Sequence, residues 1–443
     1  MAKGTFRSLK VFNYRVWTIG SLVSNIGTWM QRTAQDWLVL TELTHHSATA
    51  VGIVMGLQFG PQLLLLPWAG YAADRLDRRK LLIATQAASG LLALILGLLA
   101  VAGLVQLWHV YVLAFLSGCV NAIDMPARQT FVSDLVGDED LANAVALNST
   151  SINLAQMAGP AVAGVVIATI GAGWGFLINA ASFGAVLASL GLLCVGELHP
   201  NARAGRSHGN LVEGFRYVLS RPDLKAILWM LFLIGTFGLN FPIFISTMSV
   251  KIFHGGANQY GLLTSVMAVG TLAGALLAAG REKPRFELLL VGAAIFGIGF
   301  AFAAITPNAW LFGAALVVIG VSVLTFTNST SSLMQLSTEP VMRGRVMALR
   351  LAIGVGATPV GAPIVGWVAD AFGPRWALGV GAASGFMTAI VALAYLVKHR
   401  HLRARLDGWR LRFTREHGDL TTPVRDGHIG IGPLRHGPCP HRP

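Results

Sequence analysis

Charge is scarce in this sequence. Asp, Glu, Lys and Arg together make up only 12% of its 443 residues, which is about half the share that soluble proteins carry. Hydrophobic residues make up 54%. A soluble domain cannot bury so much apolar surface beneath so few charges, so the composition excludes a soluble globular protein and favours an integral membrane protein.

Cysteine is equally scarce. Cys119, Cys194 and Cys439 are scattered without CxxC spacing, which argues against a disulfide framework and a zinc site. The sequence also lacks the GxxxxGK[ST] loop of nucleotide-driven pumps, and no catalytic cluster emerges. We therefore expect no enzyme, no ATP-driven pump, no cofactor and no bound metal.

Long uncharged runs are plentiful, and one of them extends from Leu81 to Val105. Each run is near the ~20 residues that a helix needs to cross a bilayer. They predict an all-α integral membrane protein with twelve transmembrane helices, at about 16–40, 48–72, 81–103, 108–125, 144–170, 174–195, 225–250, 260–280, 287–305, 309–332, 346–369 and 376–397.

Basic residues alternate between the connections of these spans. The cation-rich connections hold Lys3, Arg7, Lys10, Arg15; Arg75, Arg78, Arg79, Lys80; Arg128; Arg203, Arg206, Arg216, Arg221; Arg281, Lys283, Arg285; Arg343, Arg345; and the tail from Lys398. The other connections hold little more than Lys251 and Arg375. This positive-inside pattern predicts a multi-pass protein of the inner (plasma) membrane with both termini in the cytoplasm. The net charge of +13 then reflects topology and attraction to anionic lipid, with no nucleic-acid partner.

The chain contains an internal repeat. GPAVAGVVIATIGAGW, from Gly159, aligns without gaps on GAPIVGWVADAFGPRW, from Gly361. The matched positions are Gly159, Gly164, Gly171 and Trp174 against Gly361, Gly366, Gly373 and Trp376. We predict two pseudo-symmetric six-helix bundles, 1–196 and 224–397, joined by a cytoplasmic connection at 197–223 and followed by a basic, mostly disordered tail at 398–443. Two parallel halves suit a transporter whose substrate lies between them.

The first span carries a polar strip. On a helix, one face collects Ser21, Asn25, Thr28, Trp29, Arg32, Gln35 and Asp36. Such a strip cannot face lipid and must line the bundle interior or a wet cavity. Arg32 and Asp36 are four residues apart, so each lowers the other's cost of burial. We interpret Asp36 as the group that binds the coupling proton, with Arg32 controlling its proton affinity. A permanent structural ion pair is the alternative.

GYAADRLDRRK, from Gly70 to Lys80, resembles the G-x-x-x-D-[RK]-x-G-[RK]-[RK] motif of the major facilitator superfamily, with Asp77 in place of the second glycine. The matching residues are Gly70, Asp74, Arg75, Arg78 and Arg79. The resemblance implies a cytoplasmic gate, against the alternative of an ordinary basic loop. It further implies that Asp124 and Arg128, in NAIDMPARQTF at the end of span four, join this gate with Arg75; the alternative is a local ion pair.

GPAVAG in span five resembles the family's antiporter motif, G-P-x-x-G-G. Gly159, Pro160 and Gly164 match, and Ala163 replaces one glycine. The resemblance implies export by antiport. Plain helix packing is the alternative, because small residues favour close packing in membranes generally.

Further polar residues within the spans are candidates for a substrate cavity. They are Asn25, Trp29, Gln35, Asn148, Asn153, Gln156, Asn240, Asn328 and Arg350. With Phe59 and Phe237 they indicate a large mixed cavity that suits an amphipathic molecule. Interhelical hydrogen bonds are the alternative for any one of them.

The segments GTWMQRTAQDWLVL and DMPARQ resemble the twelve-span drug and siderophore exporters of the superfamily. This implies a monomeric secondary transporter that exports a small amphipathic drug, siderophore or natural product across the lipid bilayer by proton antiport and alternating access. Proton-coupled members often carry an arginine within span four, and VLAFLSGCV has none, so sodium coupling stays open. The sequence is also compatible with an importer of a small nutrient, and with a channel or scaffold that has no energy coupling.

Overall fold

The computed structural model describes residues 6–65, 68, 75–199, 211–279, 286–400, 402–407 and 410–415. Short 3₁₀ turns at Arg7–Lys10 and Val195–Glu197 flank the N-terminal half. Its six helices are α1 (Phe12–Trp37), α2 (Ala48–Leu64), α3 (Arg78–Val101), α4 (Leu107–Leu135), α5 (Asp138–Ile170) and α6 (Ala172–Gly191).

The C-terminal half begins with a short helix in the central connection. Its helices are α7 (Leu211–Ser220), α8 (Pro222–Leu233), α9 (Phe241–Thr247), α10 (Ala257–Ala279), α11 (Phe286–Ile305), α12 (Ala309–Ser337), α13 (Pro340–Ala371) and α14 (Pro374–Arg400). Helices α8 and α9 together form the seventh predicted span.

Ten helical segments in the described part of the chain are long and apolar enough to cross a membrane. The first two predicted spans are occupied by α1, whose polar strip lowers its hydropathy, and by α2, which has 17 described residues. Each of the twelve predicted spans therefore contains helix in its described residues. The membrane part of the protein is all-α and multi-pass, built from two pseudo-symmetric halves of six spans.

Two names locate features along the bundle. The inner end is the end where α3 begins at Arg78 and α4 finishes at Leu135. The outer end is the end where α2 begins at Ala48 and α13 finishes at Ala371. The names follow the positive-inside prediction.

The helices pack as two bundles that meet along two seams. Within the N-terminal half, α1 packs on α5 and α6, α3 packs on α4 and α6, and α2 packs on α4. Within the C-terminal half, α12 packs on α10 and α11. The halves meet where α2 packs along α13 and where α5 packs along α10.

The repeat glycines occupy equivalent positions in the two halves. A methyl group added to Gly159 would lie 2.5 Å from the Trp29 Cβ on α1. One added to Gly361 would overlap the backbone carbonyl of Thr236 in the seventh span. Both sites need glycine because the backbones approach so closely.

The next two repeat pairs also match. Added Cβ atoms at Gly164 and Gly366 would meet the first-turn backbones of α10 and α2, respectively. Gly171 and Gly373 have φ values of +94° and +100° and terminate α5 and α13 in the left-handed region that favours glycine. The sequence repeat is therefore a structural repeat.

Three π-helical turns interrupt the helices of spans one and seven. One follows α1 at Leu38–Leu43. The other two, Ile234–Gly238 and Met248–Ile252, flank α9. Such turns often occur at functional sites, and they widen the helix locally.

Aromatic packing fixes the inner half of α1. Trp17 and Phe131, both buried, make an edge-to-face contact with ring centroids 5.3 Å apart. The buried Tyr14 hydroxyl donates a 2.7 Å hydrogen bond to the carbonyl of Ala144 on α5. These contacts orient the α1 polar strip towards the interior of the half.

The tail contributes a two-stranded antiparallel hairpin, β1 (Leu402–Asp407) and β2 (Arg410–Arg415), in which Leu402 pairs with Arg415. This part of the chain forms a compact unit of its own, from Val397 onwards. The rest of the tail lies outside the described residues, so the expectation of disorder there stays a prediction.

Candidate functional site

A cavity of about 220 Å³ lies between the two halves. Its walls come from α1, α2 and α5 of one half and from spans seven, eight and eleven of the other. Its lining residues are Trp29, Arg32, Thr33, Asp36, Met55, Gln58, Phe59, Gln156, Leu239, Phe241, Pro242, Ile245, Tyr260, Thr264, Met267, Ala268, Thr271 and Thr358. We call this space the inter-half cavity. Most of its surface is apolar, and Arg32 and Asp36 supply charge.

Asp36 lies at the junction of the halves. Its side chain is buried, with the residue only 8% exposed, and its Oδ2 accepts a 3.0 Å hydrogen bond from the hydroxyl of Tyr260 on α10. The neighbouring Trp37 stacks on the Tyr260 ring with centroids 6.4 Å apart. The carboxyl group of one half is therefore held by a phenol of the other.

Arg32 has a different partner from the one that its spacing suggests. Its guanidinium lies over the Trp29 ring, 4.9 Å from the centroid, a cation–π contact. Among the ion pairs of the described residues, none joins Arg32 directly to Asp36. The two groups still influence each other electrostatically across one turn of α1.

A second cavity, of about 270 Å³, lies inside the N-terminal half. We call it the bundle chamber. It shares Trp29, Arg32, Gln58 and Phe59 with the inter-half cavity and extends towards the inner end. Ten carboxamide side chains line it: Asn25, Gln31, Gln35, Gln58, Gln62, Gln86, Asn121, Gln129, Asn148 and Asn179.

The polar strip of α1 faces these two spaces. Asn25, Thr28 and Gln35 line the bundle chamber, Asp36 lines the inter-half cavity, and Trp29 and Arg32 line both. Ser21 is buried inside the half. The strip therefore avoids lipid, as its chemistry requires.

The other predicted cavity residues divide into two groups. Asn148 lines the bundle chamber and Gln156 lines the inter-half cavity. Asn153, Asn240, Asn328 and Arg350 line neither space. Asn240 is fully buried and donates to the Thr236 carbonyl at 2.7 Å, and Arg350 donates to the Thr327 carbonyl at 3.3 Å, so both satisfy helix backbone.

The predicted gate is only partly described. Gly70 and Asp74 lie outside the described residues, and Arg75 is exposed at the start of the described segment. Arg78 forms a 2.7 Å ion pair with Asp134 of α4. Arg79 donates a 2.9 Å hydrogen bond to the carbonyl of Leu190, at the end of α6. Both of these arginines thus bind within the N-terminal half.

Asp77, which departs from the family motif, has a structural use. Its side chain accepts a 3.1 Å hydrogen bond from the backbone N–H of Lys80 and caps the N-terminus of α3. Aspartate is among the best residues for this position. The replacement of glycine therefore gives α3 a defined start.

Asp124, which is buried, and Arg128, which is partly buried, form an ion pair at the inner part of the bundle chamber, 3.2 Å apart. Thr85 and Gln86 of α3 both donate to Asp124 Oδ1 at 2.7 Å. Arg128 also donates to the Asn25 side chain at 3.2 Å. The pair thus joins α1, α3 and α4 and is more than a local contact on one helix.

The antiporter-like motif lies between spans one and eight. Gly159 packs against α1 beside Trp29, and Gly164 packs against the first turn of α10. The carbonyl of Pro160 lies against Gly261 of α10. The motif therefore permits close approach on both sides of α5, next to the cavity residues Trp29 and Tyr260.

Asp370 ties three spans together at the outer end. It lies at the end of α13 and accepts hydrogen bonds from the backbone N–H groups of Ala48 and Thr49, each at 2.8 Å. The hydroxyls of Ser47 and Thr49 also donate to it. Lys251, after α9, completes the cluster with a 3.0 Å ion pair. A carboxylate at a helix N-terminus is favourable because it meets the positive end of the helix dipole.

Sequence reasoning missed Tyr260 and Asp370. The weak signal for Tyr260 was local similarity between the outer turns of spans two and eight, ATAVG from Ala48 and ANQYG from Ala257. The signal for Asp370 was a charged residue in the second copy of the repeat, at the position where the first copy has Ala168. Neither signal identifies the contacts between halves, which Tyr260 makes with Asp36 and Asp370 makes with the first turn of α2.

Comparisons with known proteins identify the family of this chain. The family profile described as transmembrane secretion effector matches residues 3–431. A staphyloferrin A transporter of Staphylococcus aureus is 25% identical over 387 residues, covering 86% of this chain and 95% of that protein. The enterobactin exporter EntS of Escherichia coli K12 is 26% identical over 386 residues, covering 82% and 88%.

Solved transporter structures share the fold. The nucleoside transporter NupG superposes with a TM-score of 0.70 at 13% identity, covering 86% of this chain and 99% of that one. An inward-facing, unoccupied bacterial homologue of the lysosomal transporter Spinster gives 0.64 at 15% identity, covering 90% and 96%. These relatives and neighbours are transporters rather than enzymes, as the sequence predicts.

Proposed function

This chain belongs to the transmembrane secretion effector family of major facilitator transporters, and from that premise we propose that it exports small amphipathic molecules by proton antiport and alternating access. Membership makes it a membrane transporter; direction, coupling ion and substrate are the proposal. Export is supported by its similarity to a protein named as an enterobactin exporter. We further propose that it works as a monomer in the inner membrane with both termini in the cytoplasm.

The proposal rests chiefly on the position of Asp36. A carboxyl group buried in a membrane protein is costly unless it is protonated or partnered. Asp36 lines the inter-half cavity, and its partner Tyr260 belongs to the other half. Protonation of Asp36 and the contact between the two halves therefore depend on the same carboxyl group. Coupling of proton movement to transport requires such a link.

Alternating access then follows from the contacts at the outer end. In the described conformation, Tyr260 holds Asp36, and the first-turn backbone of α2 holds Asp370. Opening the outer end separates α1 from α10, so that Asp36 loses the phenol and gains contact with outside water. We propose that it then takes a proton as substrate leaves, and that it returns the proton on the inner side.

The inter-half cavity supports an amphipathic substrate. Trp29, Phe59 and Phe241 offer aromatic surface, and Arg32 and Asp36 offer charge at one side. Aromatic side chains supply large contact area, while a few polar groups fix orientation. Siderophores and similar natural products are the class that the named relatives favour.

Proton exchange in proteoliposomes tests the coupling. The purified protein is reconstituted, a pH gradient is imposed, and movement of protons and of a panel of amphipathic compounds is followed. We expect Asp36→Asn to abolish proton-for-substrate exchange, whereas the control Asp223→Asn, in the central connection and paired with Arg221, exchanges like the parent protein. Normal exchange by Asp36→Asn shows that the assignment of Asp36 is wrong.

A further inference from the structure

The bundle chamber differs from the inter-half cavity because it lies within one half. The helices that line it, α1 to α6, all belong to the N-terminal half. It opens onto the inter-half cavity through the shared side chains Trp29, Arg32, Gln58 and Phe59. A molecule in the inter-half cavity can therefore extend a part of itself into the chamber.

The acidic group of the chamber is already paired. Asp124 is the one carboxylate among the described residues that line it. Thr85 and Gln86 occupy its Oδ1 and Arg128 occupies its Oδ2. This leaves no free carboxylate for a cation. Arg32 lies in the part of the chamber that is shared with the inter-half cavity, where its guanidinium stacks on the Trp29 ring.

Two buried amides still offer hydrogen bonds. Gln35 on α1 is 3% exposed and Gln86 on α3 is 1% exposed, and both line the chamber. Gln35 Nε2 and Gln86 Oε1 have no hydrogen-bond partner among the described residues. Buried polar atoms are nearly always bonded, so a donor and an acceptor remain for a guest.

We propose that the bundle chamber binds the uncharged polar part of an amphipathic substrate, a group rich in hydroxyls or amides such as a sugar, while the apolar body occupies the inter-half cavity. Carboxamides fit such a group because each offers both a donor and an acceptor. The inference rests on the proposed export function and specifies its substrate class. It adds a second compartment to the substrate site.

Three coumarins with one aromatic body test the proposal. They are 7-methoxy-4-methylcoumarin, 4-methylumbelliferyl β-D-glucoside and 4-methylumbelliferyl β-D-glucuronide, which carry no sugar, a neutral sugar and an anionic sugar. Equilibrium binding is measured by fluorescence on the full-length protein in lipid nanodiscs, without a pH gradient. We expect the glucoside to bind about tenfold more tightly than the methoxycoumarin, since sites built for hydrogen bonds reject analogues that lack them. It should also bind more tightly than the glucuronide, because burying a carboxylate costs free energy.

Two glutamine variants test whether the sugar binds in the bundle chamber. Gln35→Leu and Gln86→Met, which act from different helices, should each lower the preference for the glucoside over the methoxycoumarin by roughly fivefold, as expected for one lost hydrogen bond. The matched control Gln106→Leu, outside both cavities, should keep the parent preference. A preserved melting temperature shows that a variant is folded, and the second variant serves if the first does not fold.

Several results would overturn the proposal. They are equal binding of the three coumarins, tighter binding of the glucuronide, no binding of the glucoside, or a preference that neither glutamine variant changes. The outcome is separate from that of the proton experiment, because binding is measured without a gradient. Loss of the coupling role of Asp36 would leave a measured preference for the glucoside intact.

Discussion

The Tyr260 hydroxyl donates a 3.0 Å hydrogen bond to Oδ2 of Asp36, and the two residues belong to opposite halves of the bundle. The bond is buried on both sides. Bonds to charged groups contribute about 1.5–3 kcal/mol each. Loss of this single hydrogen bond should therefore change the ratio of outer-closed to outer-open protein by about tenfold or more.

Tyr260→Phe should open the outer end more often. Removing the phenol oxygen leaves Asp36 without its partner, and we expect about a tenfold rise in labelling of a cysteine introduced at Thr264, from the loss of about 1.4 kcal/mol. Labelling by a membrane-impermeant maleimide is measured after Cys119, Cys194 and Cys439 are replaced by Ser. The control is Tyr111→Phe on α4, outside both cavities. Equal labelling in the two variants contradicts the role of the bond.

The Asp370–Lys251 pair, which joins spans eleven and seven within the C-terminal half, should stabilise the folded protein. The two side chains are 26% and 25% exposed, so solvent screening reduces their attraction, and we expect a coupling energy of about 1 kcal/mol. A double-mutant cycle of Asp370→Asn and Lys251→Met, followed by thermal unfolding in detergent, measures it. In a control cycle, the effects of Lys251→Met and the distant Asp223→Asn on the free energy of unfolding should be additive. Additivity in the first cycle would show that the ion pair contributes nothing.

Gly361→Ala should destabilise the protein, whereas Gly354→Ala on the same helix should not. An added methyl group overlaps the Thr236 carbonyl at the first site, and at the second it meets nothing within 4 Å. We expect a loss of about 1–3 kcal/mol from overpacking and a gain of about 0.5–1 kcal/mol from better helix propensity. Melting temperatures of the two variants provide the comparison. Similar melting temperatures would mean that the seventh span does not approach Gly361 closely.

The Asp124–Arg128 pair should show the cost of a buried charge left alone. The side chains are 8% and 17% exposed, and removing one partner of a buried pair costs about 3–5 kcal/mol. We expect Asp124→Asn to lower the melting temperature more than the double variant Asp124→Asn/Arg128→Gln does. A double variant with a lower melting temperature than Asp124→Asn alone would contradict this, because Arg128 would then stabilise the protein without Asp124.

The sequence predicts the fold well because membrane-spanning helices leave long uncharged runs, and a polar strip on a helix has few tolerable positions. Span one illustrates this: Asn25, Arg32 and Asp36 face internal cavities, as the strip predicts. The glycine repeat is similarly informative. Gly171 and Gly373 need a left-handed backbone at the same point of each half, and residue type alone reveals that need.

Partners across the halves escape prediction because spacing along one helix fixes only local contacts. Arg32 and Asp36 satisfy the spacing of an ion pair, yet Trp29 and Tyr260 are the groups that contact them. The same limit applies to cavities. Gln35 and Gln156 both belong to the predicted substrate cavity, and the structure places them in different spaces.

The π-helical turns at Leu38–Leu43 and Met248–Ile252 sit at the outer ends of spans one and seven. Wider turns bend more readily than regular helix, so each of these two helices has a joint beyond its cavity-lining part. Bending of span one would then be confined to its outer end, and Arg32 and Asp36 would move together as one rigid segment. Spin-label distances between positions 22 and 37 should stay constant through the cycle, while those between 37 and 46 change.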